Sequence, residues 1–422
     1  YVISDVCVRS FLGEIFAFIF FPIVLWGIYN ILYEEKINWV LLVIGFSGLL
    51  LSHNISFLFS VILFGLFLII NIKKVLQNKL IIISLLKAVG FTILITLFFL
   101  LPMFEMMASH KYFVTYYSYT EYLKTSALLP WQFLANETVF GMGTSDATPA
   151  MVVNVGYFLT FVPLIYFSMK NKNSFITTCL FLGYFFMFMT SSFFPWIHFG
   201  FLSVIQFTWR LNLLVITLLT PVVSFIFSKI DKKFVHFGVS AILIIECFIH
   251  ITPVLQRKFV ITNETTYAEI ISTKITDPYF AATYVRTELA GGEYLPITTP
   301  DIKKYGKCIK SDEGNELTCD YVRDYDKLYF NVGEGSIVLP ITFYKGYKVY
   351  KLENGIKIPM NTFPNKQALV TFVSDDRNNY VCEYDKTLIQ TTSIYISLIS
   401  IVSFVLYVFY FYQGIPYFYK PQ

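Results

Sequence analysis

Basic side chains lie in alternate gaps between long apolar runs, and this alternation constrains the fold more than any other feature. Outside residues 252–390 the sequence has 15 lysines and arginines; nine lie in four gaps, and Lys420 lies near the C-terminal end. The four gaps contain Lys36; Lys73, Lys74 and Lys79; Lys170 and Lys172; and Lys229, Lys232 and Lys233. Lysine and arginine concentrate in cytoplasmic loops of membrane proteins. The pattern therefore predicts a multi-spanning membrane protein with these gaps, and Lys420, in the cytoplasm.

The charged residues are strongly segregated along the chain. They make up 14% of it, against about a quarter in ordinary soluble domains. Residues 252–390 hold 35 of the 60 charges, 17 basic and 18 acidic, and the other 283 residues hold 25. We therefore expect the block 252–387 to fold as a soluble domain. The net charge of +4 reflects cytoplasmic lysines and does not indicate a nucleic-acid partner.

Nine apolar segments approach the ~20 residues that a membrane helix needs. They cover residues 11–32, 38–52, 55–71, 80–101, 151–169, 174–191, 208–228, 234–251 and 388–412. The lysine-poor segments 1–10, 52–54, 102–150, 192–207 and 252–387 then face outward. The sequence thus predicts a polytopic α-helical protein of the cell membrane, in contact with the lipid bilayer. Its expected parts are a transmembrane domain of eight spans over 1–251 with an external loop at 102–150, an extracytoplasmic β-rich α+β domain over 252–387, a final span over 388–412 and a cytoplasmic tail over 413–422.

The two long external segments differ in character. The first carries aromatic residues typical of helices at the membrane interface, and these form either an aromatic belt or a substrate-stacking surface. They are Tyr112, Tyr116, Tyr117, Tyr119, Tyr122 and Trp131. In the second, a helical part around Tyr267–Arg286 precedes β-like runs at Ser336–Phe343, Tyr347–Leu352, Ile356–Met360, Ala368–Val373 and Tyr380–Tyr384. Glu353-Asn354-Gly355 predicts a hairpin turn, because Asn and Gly tolerate positive φ.

Cysteine and histidine spacing does not indicate a metal centre. Cys179 and Cys247 fall in spans and are expected to be buried, and Cys308–Cys319 is the plausible external disulfide pair. The five histidines lack metal-ligand spacing, and no phosphate-binding loop of the ATPase type is present. We predict no metal site in the protein and no cofactor, with a divalent cation left open.

Ionisable side chains at the outer ends of spans are the candidate functional residues, because a charge there is costly unless it is paired or hydrated. These residues are Asp5, Arg9, Glu14, His53, Glu105, Arg210 and Glu246. Arg210, beside Trp209, suits a lipid phosphate, since a guanidinium is a planar fork of donors. A carboxylate at this depth suits a general base toward a hydroxyl. The alternatives are that Arg210 snorkels to the headgroups and that Arg9 and Glu14 form an ordinary helix pair.

Short motifs along most of the chain carry a family resemblance. They are Asp5-x3-Arg9-x3-Gly13-Glu14-x2-Ala17-Phe18-x3-Phe21-Pro22, Leu51-Ser52-His53-Asn54, Gln206-Phe207-Thr208-Trp209-Arg210, Glu293-Tyr294-Leu295-Pro296, Ile337-Val338-Leu339-Pro340 and Tyr344-Lys-Gly-Tyr-Lys-Val-Tyr350. The first four resemble the membrane domain named "6-pyruvoyl-tetrahydropterin synthase-related". The last two, with the final span, are similar to the end of YfhO-like bacterial membrane proteins.

The resemblance implies a type-C glycosyltransferase-like membrane fold in a bacterial envelope. Such proteins transfer a sugar from a polyprenyl-phosphate carrier to an external acceptor, and YfhO-like members decorate cell-wall polymers such as lipoteichoic acid. On this reading, the outer-level residues Asp5, Glu14 and Glu105 are the candidate catalytic acids, and Arg9, His53, Trp209 and Arg210 are the candidates to bind the carrier phosphate. The resemblance further implies an acidic base in a first external loop, of which Asp5 would be the tail.

Two hypotheses of different class follow. The first is an inverting sugar transferase, in which Arg210 holds the carrier phosphate and Asp5 or Glu14 activates the acceptor hydroxyl while the external domain positions the acceptor. The second is a non-enzymatic component of lipid or polysaccharide translocation or envelope assembly. The first expects the outer-level charges to line one cavity, and the second expects broken helices or a path toward the cytoplasm.

The predicted topology is tested by thiol labelling of intact cells. Cys308 and Cys319, after reduction, should react with a membrane-impermeant maleimide, because they lie on the side opposite the lysine-bearing gaps. A Lys232→Cys variant should react only after the cells are opened. Protection of Cys308 and Cys319 in intact cells would contradict the topology.

Overall fold

A computed structural model describes residues 1–2, 11–34, 38–112, 123, 126–134, 153–230, 232–256, 295–299, 309–311, 315, 317 and 321–412. The chain divides into two compact units, which we describe separately. The first unit comprises Tyr1–Thr96, Ser118–Phe259 and Leu398–Gln422, and the second comprises Leu97–Tyr117 and Val260–Ser397. Several predicted features lie outside the described residues: Asp5, Arg9, Tyr116, Tyr117, Tyr119, Tyr122, the helical part around Tyr267–Arg286, the Cys308–Cys319 pair and the tail 413–422.

Helices form at the apolar runs of the sequence. In chain order they are α1 (Leu12–Leu32), α2 (Val40–Ser52), α3 (Asn54–Ile70), α4 (Ile72–Gln77), α5 (Lys79–Ser109), α6 (Tyr157–Phe161), α7 (Ser174–Met189), α8 (Asn212–Phe227), α9 (Lys233–Gln256) and α10 (Leu388–Tyr412). Within the described ranges, four helices are long and apolar enough to cross a membrane: Leu12–Leu32, Lys79–Ser109, Thr208–Phe227 and Leu388–Tyr410. The described chain is mostly helical, with four candidate membrane spans, and the predicted set of nine crossings stays a prediction.

Two of the predicted segments differ from the helices of the structure, and each contains or borders a proline. The predicted fourth span ends at residue 101, whereas α5 continues through Pro102 to Ser109, and the predicted external loop at 102–150 stays a prediction. The predicted span 151–169 is not one α-helix. Instead α6 lasts five residues and continues as a 3₁₀ segment, Val162–Ser168, with Pro163 in its first turn. Proline removes a backbone donor, and its effect depends on whether the surrounding structure tolerates that loss.

Small residues allow α1 and α2 to pack closely. A Cβ added at Gly45 would lie 2.5 Å from Val24 Cγ2 and 3.0 Å from the Val24 backbone nitrogen, and one at Gly48 would overlap the ring of Phe20. Around this contact, Phe21, Ile28 and Leu42 are buried in the core of the first unit. These two helices therefore form a tight pair that fixes the position of the first turn of α1.

The second unit contains a small antiparallel β-sandwich. Its strands are β1 (Lys310–Ser311), β2 (Tyr321–Asp324), β3 (Lys327–Val332), β4 (Gly335–Thr342), β5 (Tyr347–Glu353), β6 (Ile356–Pro359), β7 (Thr362–Pro364), β8 (Leu369–Ser374) and β9 (Asn378–Tyr384). One sheet has the order β1-β4-β8-β7 and the other β2-β3-β9-β5-β6. Phe372 of the first sheet packs against Phe330 and Tyr380 of the second, with ring centroids 5.9 and 5.1 Å apart. The alternating side chains of both sheets thus share one apolar core.

The five predicted β-runs correspond to β4, β5, β6, β8 and β9. The predicted hairpin turn is present, with Asn354 at φ +50° and Gly355 at φ +79° between β5 and β6. The predicted burial of Cys179 is confirmed, but Cys247 is exposed on α9, so its predicted packing role is wrong. Cys382 lies in the sandwich core, where burial raises the pKa of its thiol to about 12.

The close approach of α1 and α2 predicts opposite effects of alanine at two glycines. Gly45→Ala should lower the unfolding temperature of the purified protein in detergent, because overpacking a core costs about 1–3 kcal/mol and the contacted atoms include backbone. Gly65→Ala is the matched control in α3, where a Cβ meets nothing within 4 Å, so helix propensity should stabilise it slightly. A Gly45→Ala protein as stable as the wild type would contradict this packing.

Candidate functional site

The start of α1 is held against the turn between α2 and α3. A Cβ added at Gly13 would lie 2.8 Å from the carbonyl oxygen of Ser52 and 3.5 Å from His53 Cβ. Only a residue without a side chain allows this approach. It places the next residue, Glu14, beside His53, and a polar cluster is built at this point.

Glu14 is fully buried and is the centre of the cluster. Its Oε1 accepts a hydrogen bond from Arg210 Nε at 2.8 Å, and its Oε2 accepts one from the Tyr1 hydroxyl at 2.6 Å. The His53 Nε2 atom lies 3.9 Å from Glu14 Oε1. A buried carboxylate requires such compensation, because desolvation otherwise disfavours its charged form.

His53 links the cluster to the first turn of α3. Its Nδ1 accepts the backbone N–H of Ser56 at 3.3 Å and lies 2.8 Å from Ser56 Oγ, so the imidazole is the N-cap of α3. Because Nδ1 accepts the hydrogen bond of the backbone N–H, the neutral ring carries its own hydrogen on Nε2, the atom that faces Glu14. His53 is therefore oriented by a helix terminus.

Arg210 is also buried, with 3% exposure, and it does not snorkel to the membrane surface, so that alternative is wrong. Its Nη1 donates to the Ile205 carbonyl at 3.2 Å and to Gln206 Oε1. The guanidinium carbon lies 5.2 Å from the ring centroid of Phe207 and 5.7 Å from that of Trp209, within cation–π range. Gln206 has φ +65°, a rare conformation for a non-glycine residue, which is consistent with a functional or strained site.

Neutral amides extend the polar cluster through the first unit. The Asn154 carbonyl accepts from the Tyr1 backbone nitrogen at 2.8 Å, and Asn154 Nδ2 donates to the Gln132 carbonyl at 2.9 Å. Asn212 Nδ2 donates to the Val153 carbonyl at 2.8 Å. These bonds join the segments around residues 132 and 154 to α8. We call the set Tyr1, Glu14, His53, Gln132, Asn154, Gln206, Arg210 and Asn212 the polar layer.

An apolar groove of about 430 Å³ lies along α1, α7 and α8 in the same unit. Its lining consists of Phe18, Pro22, Leu25, Trp26, Tyr29, Phe175, Ile216, Thr217, Thr220 and Pro221. The hydroxyls of Thr217 and Thr220 donate to carbonyls of their own helix, those of Leu213 and Ile216, both at 2.7 Å. The groove therefore offers almost no polar group to an occupant.

Phe18 lies next to the polar layer, since it is one helical turn from Glu14 and its ring centroid is 6.0 Å from that of Tyr1. From Phe18 the lining residues continue along α1 to Tyr29, about 16 Å further at 1.5 Å per residue. One end of the groove thus borders the buried ion pair, and the rest is apolar.

Two other predicted carboxylates serve different local structures. Glu105 Oε2 accepts from the Thr387 hydroxyl at 2.7 Å in the second unit. Thr387 and Gln390 form a capping box at the start of α10, with bonds of 3.2 and 3.3 Å. Glu246 accepts the backbone N–H groups of Tyr157 and Phe158. It therefore stabilises the first turn of α6.

The structure brings together four predicted site residues, namely Glu14, His53, Trp209 and Arg210. Sequence reasoning missed Tyr1, Gln132, Asn154, Gln206 and Asn212 as members of the layer. Of these five, only Gln206 could have been found from the sequence, because it lies in the motif that ends at Arg210. Within the described ranges no three His, Cys, Asp or Glu side chains cluster as metal ligands, and a divalent cation stays an open possibility.

Comparisons with protein-family models, with curated proteins and with solved structures found no match to this chain. The function therefore has to be inferred from the geometry of the site and the pattern of the sequence.

The buried pair predicts a non-additive mutant cycle. Glu14→Leu and Arg210→Met should each lower the stability of the purified protein by about 3–5 kcal/mol, because each leaves one buried charge without its partner. The double variant should regain much of that loss. The control is Glu34→Gln, since Glu34 is exposed and its carboxylate also accepts from a tyrosine hydroxyl.

Thermal and denaturant unfolding in detergent measures all four variants. Additive losses in the double variant would show that Glu14 and Arg210 are not energetically coupled.

Proposed function

We propose that this protein transfers a sugar from a polyprenyl-phosphate carrier to a hydroxyl of an extracytoplasmic envelope polymer, by the type-C glycosyltransferase-like route that its motifs suggest. The observation that carries the proposal is the position of the Glu14–Arg210 pair next to one end of a long apolar groove. An amphiphilic carrier has the same arrangement of parts, with an anionic head and a hydrocarbon chain.

The groove supports the proposal through its shape and composition. It extends along about 16 Å of α1. Because its two threonines direct their hydroxyls to their own backbones, an isoprenoid chain could enter without leaving a polar group unpaired. A soluble polar substrate would gain nothing from these contacts.

The polar layer would bind the head of the carrier. Arg210 presents a planar fork of donors that matches a phosphate. At rest this guanidinium neutralises Glu14, so a carrier phosphate that takes over Arg210 would release the carboxylate. Binding of the carrier would then free Glu14 to act as the base. Without the carrier, Glu14 would stay paired with Arg210 and inactive.

The transfer step follows from these roles. The acceptor hydroxyl attacks the anomeric carbon, and the bond from that carbon to the phosphate oxygen breaks. The electron pair leaves with the polyprenyl phosphate, while the hydroxyl proton passes to Glu14. His53, which is directed at Glu14, would orient the carboxylate, and Trp209 would pack beside the sugar phosphate. Asp5 and Glu105 stay alternative bases, and Arg9 stays an additional phosphate ligand.

A second candidate is a non-enzymatic component of lipid or polysaccharide translocation or envelope assembly. Two observations favour it. The Glu14–Arg210 pair is buried and mutually compensated, as expected of a structural tie. In addition, the apolar segment 157–168 is broken into α and 3₁₀ parts, a feature of helices that line transport sites.

A transfer assay on the full-length protein in lipid separates the two candidates. With a radiolabelled polyprenyl-phosphate glucose and isolated envelope polymer, the wild type should label the polymer. Arg210→Lys, which keeps the charge but loses the fork, should lower kcat/KM by about 10–100-fold, since hydrogen bonds to charged groups contribute about 1.5–3 kcal/mol.

A groove variant tests the carrier chain separately. Thr220→Phe should raise the KM for the carrier, because it fills the groove, whereas Ile62→Phe on the exposed side of α3 should not. Equal transfer by wild type and Arg210→Lys would remove Arg210 from the mechanism. Absence of transfer together with lipid scrambling in proteoliposomes would favour the second candidate.

A further inference from the structure

The outer face of the five-stranded sheet has an organised row of side chains. Tyr329 of β3 and Tyr350 of β5 both pair with Val381 of the central strand β9. The row continues to Val322 on β2 and Pro359 on β6. Because side chains alternate along a strand, this face points away from the sandwich core, which contains Phe330 and Tyr380.

The two tyrosines form an aromatic surface over the middle of the sheet. They lie two strands apart, roughly 10 Å for a strand spacing of ~4.8 Å. Val381 between them is fully buried, although it is on the outer face, and both tyrosines are half-buried. The ends of the row are open, since Val322 and Pro359 are exposed.

Charged side chains line one side of this row, and Lys357 reaches that side from the row of Leu352 and Asn379. Glu383 lies 2.5 Å from Lys357 Nζ and 3.6 Å from Lys327 Nζ, and Lys348 Nζ lies 2.6 Å from Asp385. The hydrogen bond that Lys357 donates to Glu383 is the main cause of the raised pKa of Lys357, and Tyr329 and Tyr350 raise it further. Donors and acceptors therefore alternate beside the rings.

Amides line the other side. Asn331 Nδ2 donates to Asn379 Oδ1 at 2.9 Å across the sheet, and Arg377 Nε donates to Asn331 Oδ1 at 3.2 Å. Asn379 is exposed. Each amide offers both donors and acceptors. The face thus combines two aromatic rings with polar groups that both donate and accept hydrogen bonds.

We propose that this face binds a glycan chain, with pyranose rings stacked on Tyr329 and Tyr350 and hydroxyls bonded to Asn379, Lys357 and Glu383. A pyranose has apolar C–H faces and a rim of hydroxyls that both donate and accept, and the sheet face has the complementary pattern. The rim has four basic and two acidic side chains, but its three lysines are ion-paired with Glu383 and Asp385. It therefore presents donors and acceptors together, which suits a hydroxyl-rich polymer better than an anionic lipid surface or a nucleic acid. The inference rests on the proposed function only for the source of the glycan, an envelope polymer.

Lys357 would have to move when a sugar stacks on Tyr350. Its ammonium lies 5.5 Å from the ring centroid of Tyr350, and its side chain is 42% exposed. Exposed ion pairs are weak, so displacement of Lys357 from the ring by a sugar costs little.

Binding is measured with the full-length protein in detergent, without any polyprenyl carrier. The probes are soluble hexasaccharides of glucose and of N-acetylglucosamine, with saturation-transfer NMR for contact and calorimetry for Kd. We expect binding of at least one probe. Tyr329→Ala and Tyr350→Ala should each weaken it about three- to tenfold, because each removes a ring on which a pyranose would stack. The phenylalanine variants should bind within about threefold of the wild type, because the ring is retained.

Tyr325→Ala is the matched control, because Tyr325 is an 88% exposed tyrosine at the β2–β3 turn of the same sheet. It should leave Kd unchanged. If an alanine variant unfolds, Asn379→Ala and Glu383→Gln test the rim, and each should weaken binding. Binding that survives all of these changes would overturn the proposal. The proposal would also be overturned if neither probe binds. It would be overturned too if Tyr350→Ala weakens binding to lipid vesicles but not binding to the hexasaccharides. A variant of the sheet face that loses glycan binding but still transfers the sugar would separate this proposal from the proposed function. So would a variant that binds the glycan but no longer transfers the sugar.

Discussion

The first unit depends on the buried ion pair between Glu14 and Arg210. Two opposite charges out of water attract strongly, but each has lost its hydration, so the pair is stable only when its remaining hydrogen bonds are also made. Here the Tyr1 hydroxyl donates a hydrogen bond to the carboxylate of Glu14, and the Gln206 side chain and the Ile205 carbonyl accept hydrogen bonds from the guanidinium. The pair joins residues 196 positions apart and ties the start of α1 to the start of α8. The amides of the polar layer then attach neighbouring segments to that tie.

The same pair restricts how the site can work. A guanidinium that is already compensated cannot bind a phosphate unless it gives up its carboxylate, so an occupied and an unoccupied state would differ in the partner of Arg210. The two carboxylates Glu105 and Glu246 are in a different situation. They accept hydrogen bonds from a threonine hydroxyl and from backbone N–H groups, and their contacts explain local structure without a substrate. Glu14 is therefore the acid whose surroundings are best suited to change on binding.

The sequence predicts the elements better than it predicts their partners. Apolar run length found the helices, and the β-like runs found β4, β5, β6, β8 and β9. The strands β1 and β7 are two and three residues long, too short to show a pattern. The β2–β3 turn was missed because Tyr325 takes a positive φ that its residue type does not suggest. For the site, Glu14, His53 and Arg210 could be identified as candidates because ionisable side chains are unusual next to apolar segments. Nothing local indicates that Glu14 and Arg210 meet, and neutral amides such as Gln132 and Asn154 resemble ordinary loop residues.

The polar layer of the first unit and the sheet face of the second hold their charges in opposite ways, which suits the different ligands proposed for them. In the polar layer, the charges of Glu14 and Arg210 are buried and paired with each other over a long sequence distance, so they can respond to an occupant only by exchanging partners. In the sheet, the charges are exposed, close in register and weakly paired, so a ligand can replace one partner with little loss. A polymer with many similar hydroxyls suits the second arrangement, because it needs many weak bonds. A single phosphate suits the first, because only a strong ligand can compete with a buried carboxylate.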